Sequence, residues 1–162
     1  MFNQADLTST LASIPWFHEL DASRLERLTR ISNICEIAEN VELFQEGGPE
    51  DFLYIVIEGQ MGIDMFVPNH ENIRIYTAEP LDIIGWSALT PVVRQRTATV
   101  RALKKSRLVS IEAESLKRLC DEDNRIGYLV MRRISNVIAS RLLTSRLILM
   151  DLLANPELEK KG

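Results

Sequence analysis

The sequence has 162 residues and a mass of 18.5 kDa, which is the size of a single domain. Hydrophobic residues make up 46% of the chain and charged residues 26%, so a disordered or collagen-like chain is excluded. The net charge of −4 disfavours direct nucleic-acid binding, because affinity for DNA comes mainly from cations that neutralise phosphates.

The first thirty residues are predicted to be helical. One helix carries Leu7 and Leu11 and ends at Pro15, and a second begins at Asp21 or Ser23, both of which are good helix caps. The N-terminus has no basic region followed by an apolar run, so it does not resemble a signal peptide. We therefore expect a cytoplasmic protein whose two cysteines are reduced.

Short extended segments follow, separated by turns about every eight to twelve residues, which is typical of an antiparallel sandwich or barrel. The predicted strands lie at 34–38, 41–45, 52–57, 61–67, 73–76, 83–84, 98–102 and 107–111. Because helices precede and follow this run of strands, the sequence predicts a mostly β domain with flanking helices, of the α+β class.

Helical periodicity returns after Glu112, with a short helix at 115–120 and a long one at 125–154. We divide the chain into a β domain with its N-terminal helices (1–124), the long helix (125–154) and a tail predicted to fray (155–162). Four arginines and an aspartate interrupt the long helix, which argues against a membrane span.

The second half of the long helix is apolar on more than one face, with leucines such as Leu142, Leu143 and Leu149. A helix that leaves a compact domain cannot bury two apolar faces against that domain. A second copy of the chain would cover the extra face, so we expect a homodimer in preference to a monomer.

One stretch, 85–99, breaks the rhythm of the strands. Gly85 follows a short apolar strand, one helix-compatible turn ends at Pro91, and Arg96 and Thr97 precede the next strand. Backbone N–H groups of such a turn, with a guanidinium and a hydroxyl beside them, would suit an anion. Two alternatives stay open: Arg96 could be a surface arginine paired with a carboxylate, and Trp86 could fill an empty pocket or stack on a ligand.

The residues of this stretch resemble the phosphate-binding cassette of cyclic nucleotide-binding domains. The resemblance rests on Gly85-Trp86-Ser87-Ala88-Leu89 and Arg96-Thr97-Ala98-Thr99-Val100, and on the upstream runs Leu43-Phe44-Gln45-Glu46-Gly47 and Phe52-Leu53-Tyr54-Ile55-Val56-Ile57-Glu58-Gly59. It extends over residues 5–153. The resemblance implies an eight-stranded jelly-roll barrel with N-terminal helices and a long C-terminal helix that pairs between subunits.

The resemblance also implies the roles of the cassette residues. Arg96 would pair with the cyclic phosphate, and the Thr97 side chain and the backbone N–H groups near Ser87 and Ala88 would donate further hydrogen bonds. The full predicted site consists of Gly85, Trp86, Ser87, Ala88, Arg96, Thr97 and Ala98. The implied ligand is a cyclic nucleotide, cAMP or cGMP, or another small anionic molecule.

Trp86 departs from the family pattern, which has at this position a glutamate that binds the ribose 2′-hydroxyl. An indole N–H only donates, so Trp86 cannot accept a hydrogen bond from that hydroxyl. Loss of one charge-assisted hydrogen bond costs about 1.5–3 kcal/mol, or one to two decades of affinity. The resemblance therefore implies altered or weak affinity for cyclic nucleotides.

The sequence bears on three classes of function. The first is a regulatory ligand-sensing domain that acts on an unknown protein effector, and the second is a dimeric interaction module whose pocket is degenerate and empty. An enzyme is disfavoured, because no Ser-His-Asp set or acid pair falls in the cassette and both histidines lie outside it. The few cysteines and histidines do not suggest a metal site, and few residues follow Leu152, so we expect no DNA-reading module.

Overall fold

The computed structural model describes residues 4–69 and 71–155. The tail predicted to fray at 155–162 lies outside the described residues, except for Asn155, and His70 also lies outside them. Within the described parts of the chain, the helices are α1 Gln4–Ser13, α2 Ala22–Arg30, α3 Ala113–Glu122 and α4 Asn124–Ala154, with 3₁₀ turns at Pro15–Phe17 and Trp86–Leu89.

The two N-terminal helices form as their sequences predict. Pro15 ends α1 and begins the first 3₁₀ turn, and the Asp21 side chain caps α2 by accepting a hydrogen bond from the Arg24 backbone N–H at 2.9 Å. Leu11 and Leu28 are completely buried and belong to the same core cluster. The N-terminal helices are thereby fixed to the β domain.

Eight strands form the centre of the described chain. They are β1 Ser32–Ile37, β2 Glu42–Phe44, β3 Phe52–Glu58, β4 Met61–Met65, β5 Ile73–Ala78, β6 Ile83–Ile84, β7 Thr99–Ala102 and β8 Ser106–Glu112. All pairs are antiparallel, and the strands form two four-stranded sheets in the orders β1-β8-β3-β6 and β2-β7-β4-β5. The predicted β domain with flanking helices is confirmed, but its ladders form two sheets and not one closed hydrogen-bonded barrel.

Two apolar clusters hold these layers together. One joins the helices to the first sheet and contains Phe17, Leu53 and Ile111, and the other contains Met61 and Leu108 from opposite sheets. The strand β3 contributes to both clusters, because successive side chains of a strand point to opposite faces of its sheet. The cassette 85–99 connects the two sheets, from β6 in the first to β7 in the second.

The long helix α4 has a buried first half and an exposed second half. Ile126, Val130, Ile134 and Val137 are buried and recur at intervals of three and four residues, so one face packs on the domain. No described residue of α4 beyond Val137 is buried. Within residues 4–69 and 71–155, none of the helices combines the length and apolar character needed to cross a bilayer.

Asp123 joins α2 to the start of α4. Its carboxylate accepts hydrogen bonds from Arg24 Nε at 2.9 and 3.1 Å and from Arg27 Nη1 at 3.3 Å, and it caps α4 through the N–H groups of Arg125 and Ile126. Burial raises the pKa of Asp123, but the hydrogen bonds from Arg24 and from the two backbone N–H groups outweigh it and lower the pKa.

We predict that Asp123→Asn lowers the melting temperature at neutral pH, although asparagine still caps a helix well, because the bonds to both arginines lose their charge. A carboxylate with a lowered folded-state pKa stabilises the fold above its unfolded-state pKa, and this contribution is lost as pH falls through the folded-state pKa. The difference between variant and parent should therefore shrink on acidification. Thermal unfolding between pH 7 and pH 3 measures it, with exposed Asp121→Asn as control; a difference independent of pH contradicts the assignment.

Candidate functional site

The cassette begins with a glycine in the left-handed conformation, which the sequence analysis did not predict. Gly85 has a φ of +76°, and the 3₁₀ turn Trp86–Leu89 follows at once. The predicted helix-compatible turn is confirmed, but its four residues form no α-helix with an N-terminal dipole. The Ala88 N–H donates to the Gly85 carbonyl oxygen at 3.2 Å, so in this conformation it is bonded within the turn, and its role toward a ligand stays a prediction.

Arg96 is buried among backbone carbonyl groups. Only 2% of the residue is exposed. Its Nε donates to the Pro49 oxygen at 2.9 Å and its Nη2 to the Phe52 oxygen at 2.8 Å, and a longer contact of 3.5 Å joins Nη1 to the Gly85 oxygen. Because Arg96 is neither exposed nor paired with a described carboxylate, the interpretation of Arg96 as a surface arginine in an ion pair is wrong.

Aromatic rings complete the surroundings of the Arg96 guanidinium. Its Cζ lies 4.2 Å from the centroid of the Phe44 ring and 6.0 Å from that of Tyr54. Burial lowers the pKa of Arg96, while the charges of Tyr54, Glu50 and Asp51 act in the opposite direction. An arginine stays protonated even when buried, so the site contains a positive charge bound mainly by dipoles and π-electrons.

The backbone of Arg96 also holds the loop before β3. Its N–H donates to the Gly48 oxygen at 3.0 Å, and its own carbonyl accepts from the Gly47 N–H at 2.8 Å. Together with the side-chain bonds to Pro49 and Phe52, these contacts attach the loop between β2 and β3 to the end of the cassette. Any ligand that moves Arg96 would therefore also move this loop.

The cavity beside Arg96 is small. It has a volume of about 30 Å³, which suffices for one or two water molecules, whereas pockets for drug-sized ligands measure about 300–1,000 Å³. Its lining consists of Phe44, Ile63, Ile83, Ile84, Gly85, Trp86, Ser87, Arg96, Thr97, Ala98 and Val100. Six of the seven predicted site residues therefore lie around one cavity, and Ala88 is buried next to them without lining it.

Sequence reasoning missed the residues that hold the guanidinium. Pro49 and Phe52 contribute carbonyl oxygens, and any residue type could provide these at the same backbone position. Phe44 lies in one of the runs that carry the family resemblance, but no contact with Arg96 was predicted for it. An aromatic residue before a glycine turn was the one available signal. A groove of about 420 Å³ on the side of Arg96 near Pro49 and Tyr54 was also not predicted.

The left-handed turn at Gly85 provides a test of the position of Arg96. A Cβ at Gly85 would lie 2.4 Å from Arg96 Nη1 and 3.0 Å from the Phe52 oxygen, whereas a Cβ at Gly47, whose φ is +78°, would meet nothing within 4 Å. We predict that Gly47→Ala costs about 1–2 kcal/mol from backbone strain. Gly85→Ala should cost about 1–3 kcal/mol more, from overpacking. Urea unfolding of both variants measures the difference, and equal losses would contradict the placement of Arg96.

Comparisons with known proteins concern the family and the fold of this chain. The family model described as "Cyclic nucleotide-binding domain" matches residues 35–123. A putative potassium channel protein of Rhodopseudomonas palustris is 25% identical over 134 residues, which is 82% of this chain; the chain spans 31% of the length of that relative.

Solved structures share the fold. A cyclic nucleotide-binding domain from Methylobacillus flagellatus superposes with a TM-score of 0.75 at 18% identity, covering 91% of this chain and 83% of the other. The regulatory domain of Toxoplasma gondii PKA, crystallised with cAMP, gives a TM-score of 0.68 at 22% identity, over 82% of this chain and 50% of the other. Since the family model covers more than half of the sequence and includes the complete cassette, this chain belongs to the cyclic nucleotide-binding domain family.

Proposed function

We propose that this chain is a non-catalytic regulatory domain with weak affinity for cyclic nucleotides, which acts as a homodimer through α4. The observation that carries the proposal is the occupied guanidinium of Arg96, which donates to three carbonyl oxygens beside a cavity of about 30 Å³. In this conformation the cation needed for a cyclic phosphate is bound by the protein itself.

Opening this site has a free-energy cost that lowers the apparent affinity. If each of the two bonds shorter than 3 Å contributes about 1.5 kcal/mol, the closed arrangement is favoured by about 3 kcal/mol. A binding-competent state populated at about 1% weakens the apparent affinity roughly a hundredfold. Glu50 and Asp51, which lie before β3, add negative charge near Arg96 and further oppose an incoming anion.

Trp86 adds a second cost. It lines the small cavity and packs against the helical core cluster, so it lies between the cavity and the helices. It cannot accept a hydrogen bond from a ribose hydroxyl. The two effects together support a site that takes cAMP or cGMP weakly, and they leave other small anions as ligands that the same Arg96 could bind.

A second candidate function follows from the cavity volume. If the site never opens, the chain is a dimeric interaction module without a ligand. In both candidates the regulatory signal passes through α4 to a protein effector. Neither candidate is an enzyme, since residues 85–99 contain no histidine and no carboxylate. They differ in whether any cyclic nucleotide binds.

The free face of α4 supports the homodimer. Tyr128, Met131, Leu142 and Leu149 are exposed and, at 100° per residue, lie within about 60° of one another and about 100–160° from the buried Val130 around the helix. Their spacing of three, eleven and seven residues fits a heptad seam. A two-fold partner helix on this face would cover it from end to end.

The first prediction concerns Trp86. We expect Trp86→Glu to increase affinity for cAMP at least tenfold, because it supplies an acceptor that an indole lacks. Trp86→Phe is the matched control, because it reduces the bulk without adding an acceptor. Titration calorimetry with cAMP measures both, after thermal unfolding has shown that the variants fold. If no variant binds cAMP, the weak-affinity proposal fails and the ligand-free module stands.

The second prediction concerns the seam. Leu142→Arg places two cations at the two-fold axis and removes two buried leucines, so we expect the dimer dissociation constant to rise at least a hundredfold, equivalent to about 3 kcal/mol. Ser140→Arg, an exposed position about 160° away around the helix, should leave it unchanged. Sedimentation velocity across a concentration series separates the two. A monomeric parent protein, or a Leu142→Arg variant as dimeric as the parent, contradicts the seam.

A further inference from the structure

Two arginines of α4 contact the segment 73–84: one reaches the turn between β5 and β6, and the other reaches Tyr76 within β5. Arg133 Nη2 donates to the Leu81 carbonyl oxygen at 3.1 Å. Arg141 lies with its Cζ 3.0 Å from the centroid of the Tyr76 ring. The two arginines are eight residues apart, or about two helical turns, so both lie on the side of α4 that faces the sheet.

The turn itself is held tightly from within. The Tyr76 hydroxyl donates to Asp82 Oδ2 at 3.1 Å, and the same oxygen accepts from the Glu79 N–H at 3.0 Å. Leu81 has a φ of +75°, which is strained for a leucine, and its N–H donates to the Val56 oxygen at 2.8 Å. A strained residue fixed from several sides gives the turn one preferred shape, which α4 contacts directly.

The same turn leads into the cassette without a spacer. Ile83 and Ile84 follow Asp82, line the small cavity and continue to Gly85 and Trp86. On the other side of the turn, Tyr76 pairs with Ile63, which also lines the cavity. A shift at the cavity therefore reaches the turn through both strands that border it.

The contacts of the two arginines are incomplete. Arg133 Nε and Arg141 Nη1 are buried and have no hydrogen-bond partner among residues 4–69 and 71–155. A buried donor without an acceptor costs free energy, so these contacts stabilise this placement of α4 less than fully paired guanidinium groups would. An element held by such contacts can exchange between two placements when a small change at the turn favours one of them.

We propose that Arg141 and Tyr76 are positioning residues that couple the cassette to the placement of α4. This inference rests on the proposed function, in which the cassette is the input and α4 the output. The ring of Tyr76 supports the guanidinium, its hydroxyl fixes Asp82, and Arg133 holds the carbonyl at the top of the turn. Coupling is reciprocal, so releasing Arg141 must loosen the cassette just as a change in the cassette would shift α4.

Hydrogen exchange measured by mass spectrometry on the full chain, without ligand, tests this coupling. We expect Arg141→Gln to increase exchange at least tenfold in residues 79–89, far from the substituted residue in sequence. Arg146→Gln, an exposed arginine on the same helix, should leave that segment unchanged. Tyr76→Leu should reproduce the effect of Arg141→Gln, whereas Tyr76→Phe, which keeps the ring, should show a smaller one.

Two results would overturn the inference. In the first, exchange rises only within α4 around residue 141. In the second, exchange rises equally in the central strands β3 and β8, which reports general destabilisation. The experiment adds no cAMP and does not measure dimer dissociation, so it separates failure of the coupling from failure of the proposed function. The Leu142→Arg variant allows the same measurement on a monomer.

Discussion

The hydrogen bonds of one buried guanidinium connect the parts of this domain that a ligand would have to move. Arg96 binds the carbonyl groups of Pro49, Phe52 and Gly85 and packs on the Phe44 ring, so the loop before β3, the start of the cassette and β2 meet at one positive charge. A buried charge is stable only when polar groups replace its lost hydration. Here backbone dipoles do so, and the cavity beside them stays small.

The binding of Arg96 by backbone carbonyl groups distinguishes this domain from a simple nucleotide receptor. The fold and the cassette are those of a cyclic nucleotide-binding domain, yet the Arg96 guanidinium is already bound by carbonyl groups, and Trp86 lines the same small cavity. A ligand must therefore compete with contacts inside the protein, and its effect would be a redistribution between closed and open states. In the proposed coupling, the contacts of Arg133 with Leu81 and of Arg141 with Tyr76 carry such a redistribution to α4.

Much of the fold could be predicted from the sequence. Apolar or alternating runs between turn residues predicted all eight strands, Asp21 and Pro15 marked helix boundaries, and Gly85 marked the start of a helix-compatible turn, because each of these signals depends on local residue identity. Six of seven cassette residues do line one cavity. The direction of the Arg96 guanidinium could not be predicted, since its acceptors are carbonyl groups that every residue has. The cavity volume and the contact of Arg141 with Tyr76 depend on how distant segments pack, which one sequence does not reveal.

The most direct test of the closed site is NMR spectroscopy of the arginine Nε–H groups in the ¹⁵N-labelled protein, with Arg96→Lys used to assign the Arg96 signal. A donor buried against the Pro49 carbonyl should exchange slowly with water. Its signal should stay in place when cAMP is added to about ten micromolar, because this concentration is far below the dissociation constant expected of a closed site. An Nε–H that exchanges as fast as that of an exposed arginine, or a signal that shifts and saturates at that concentration, would contradict the account.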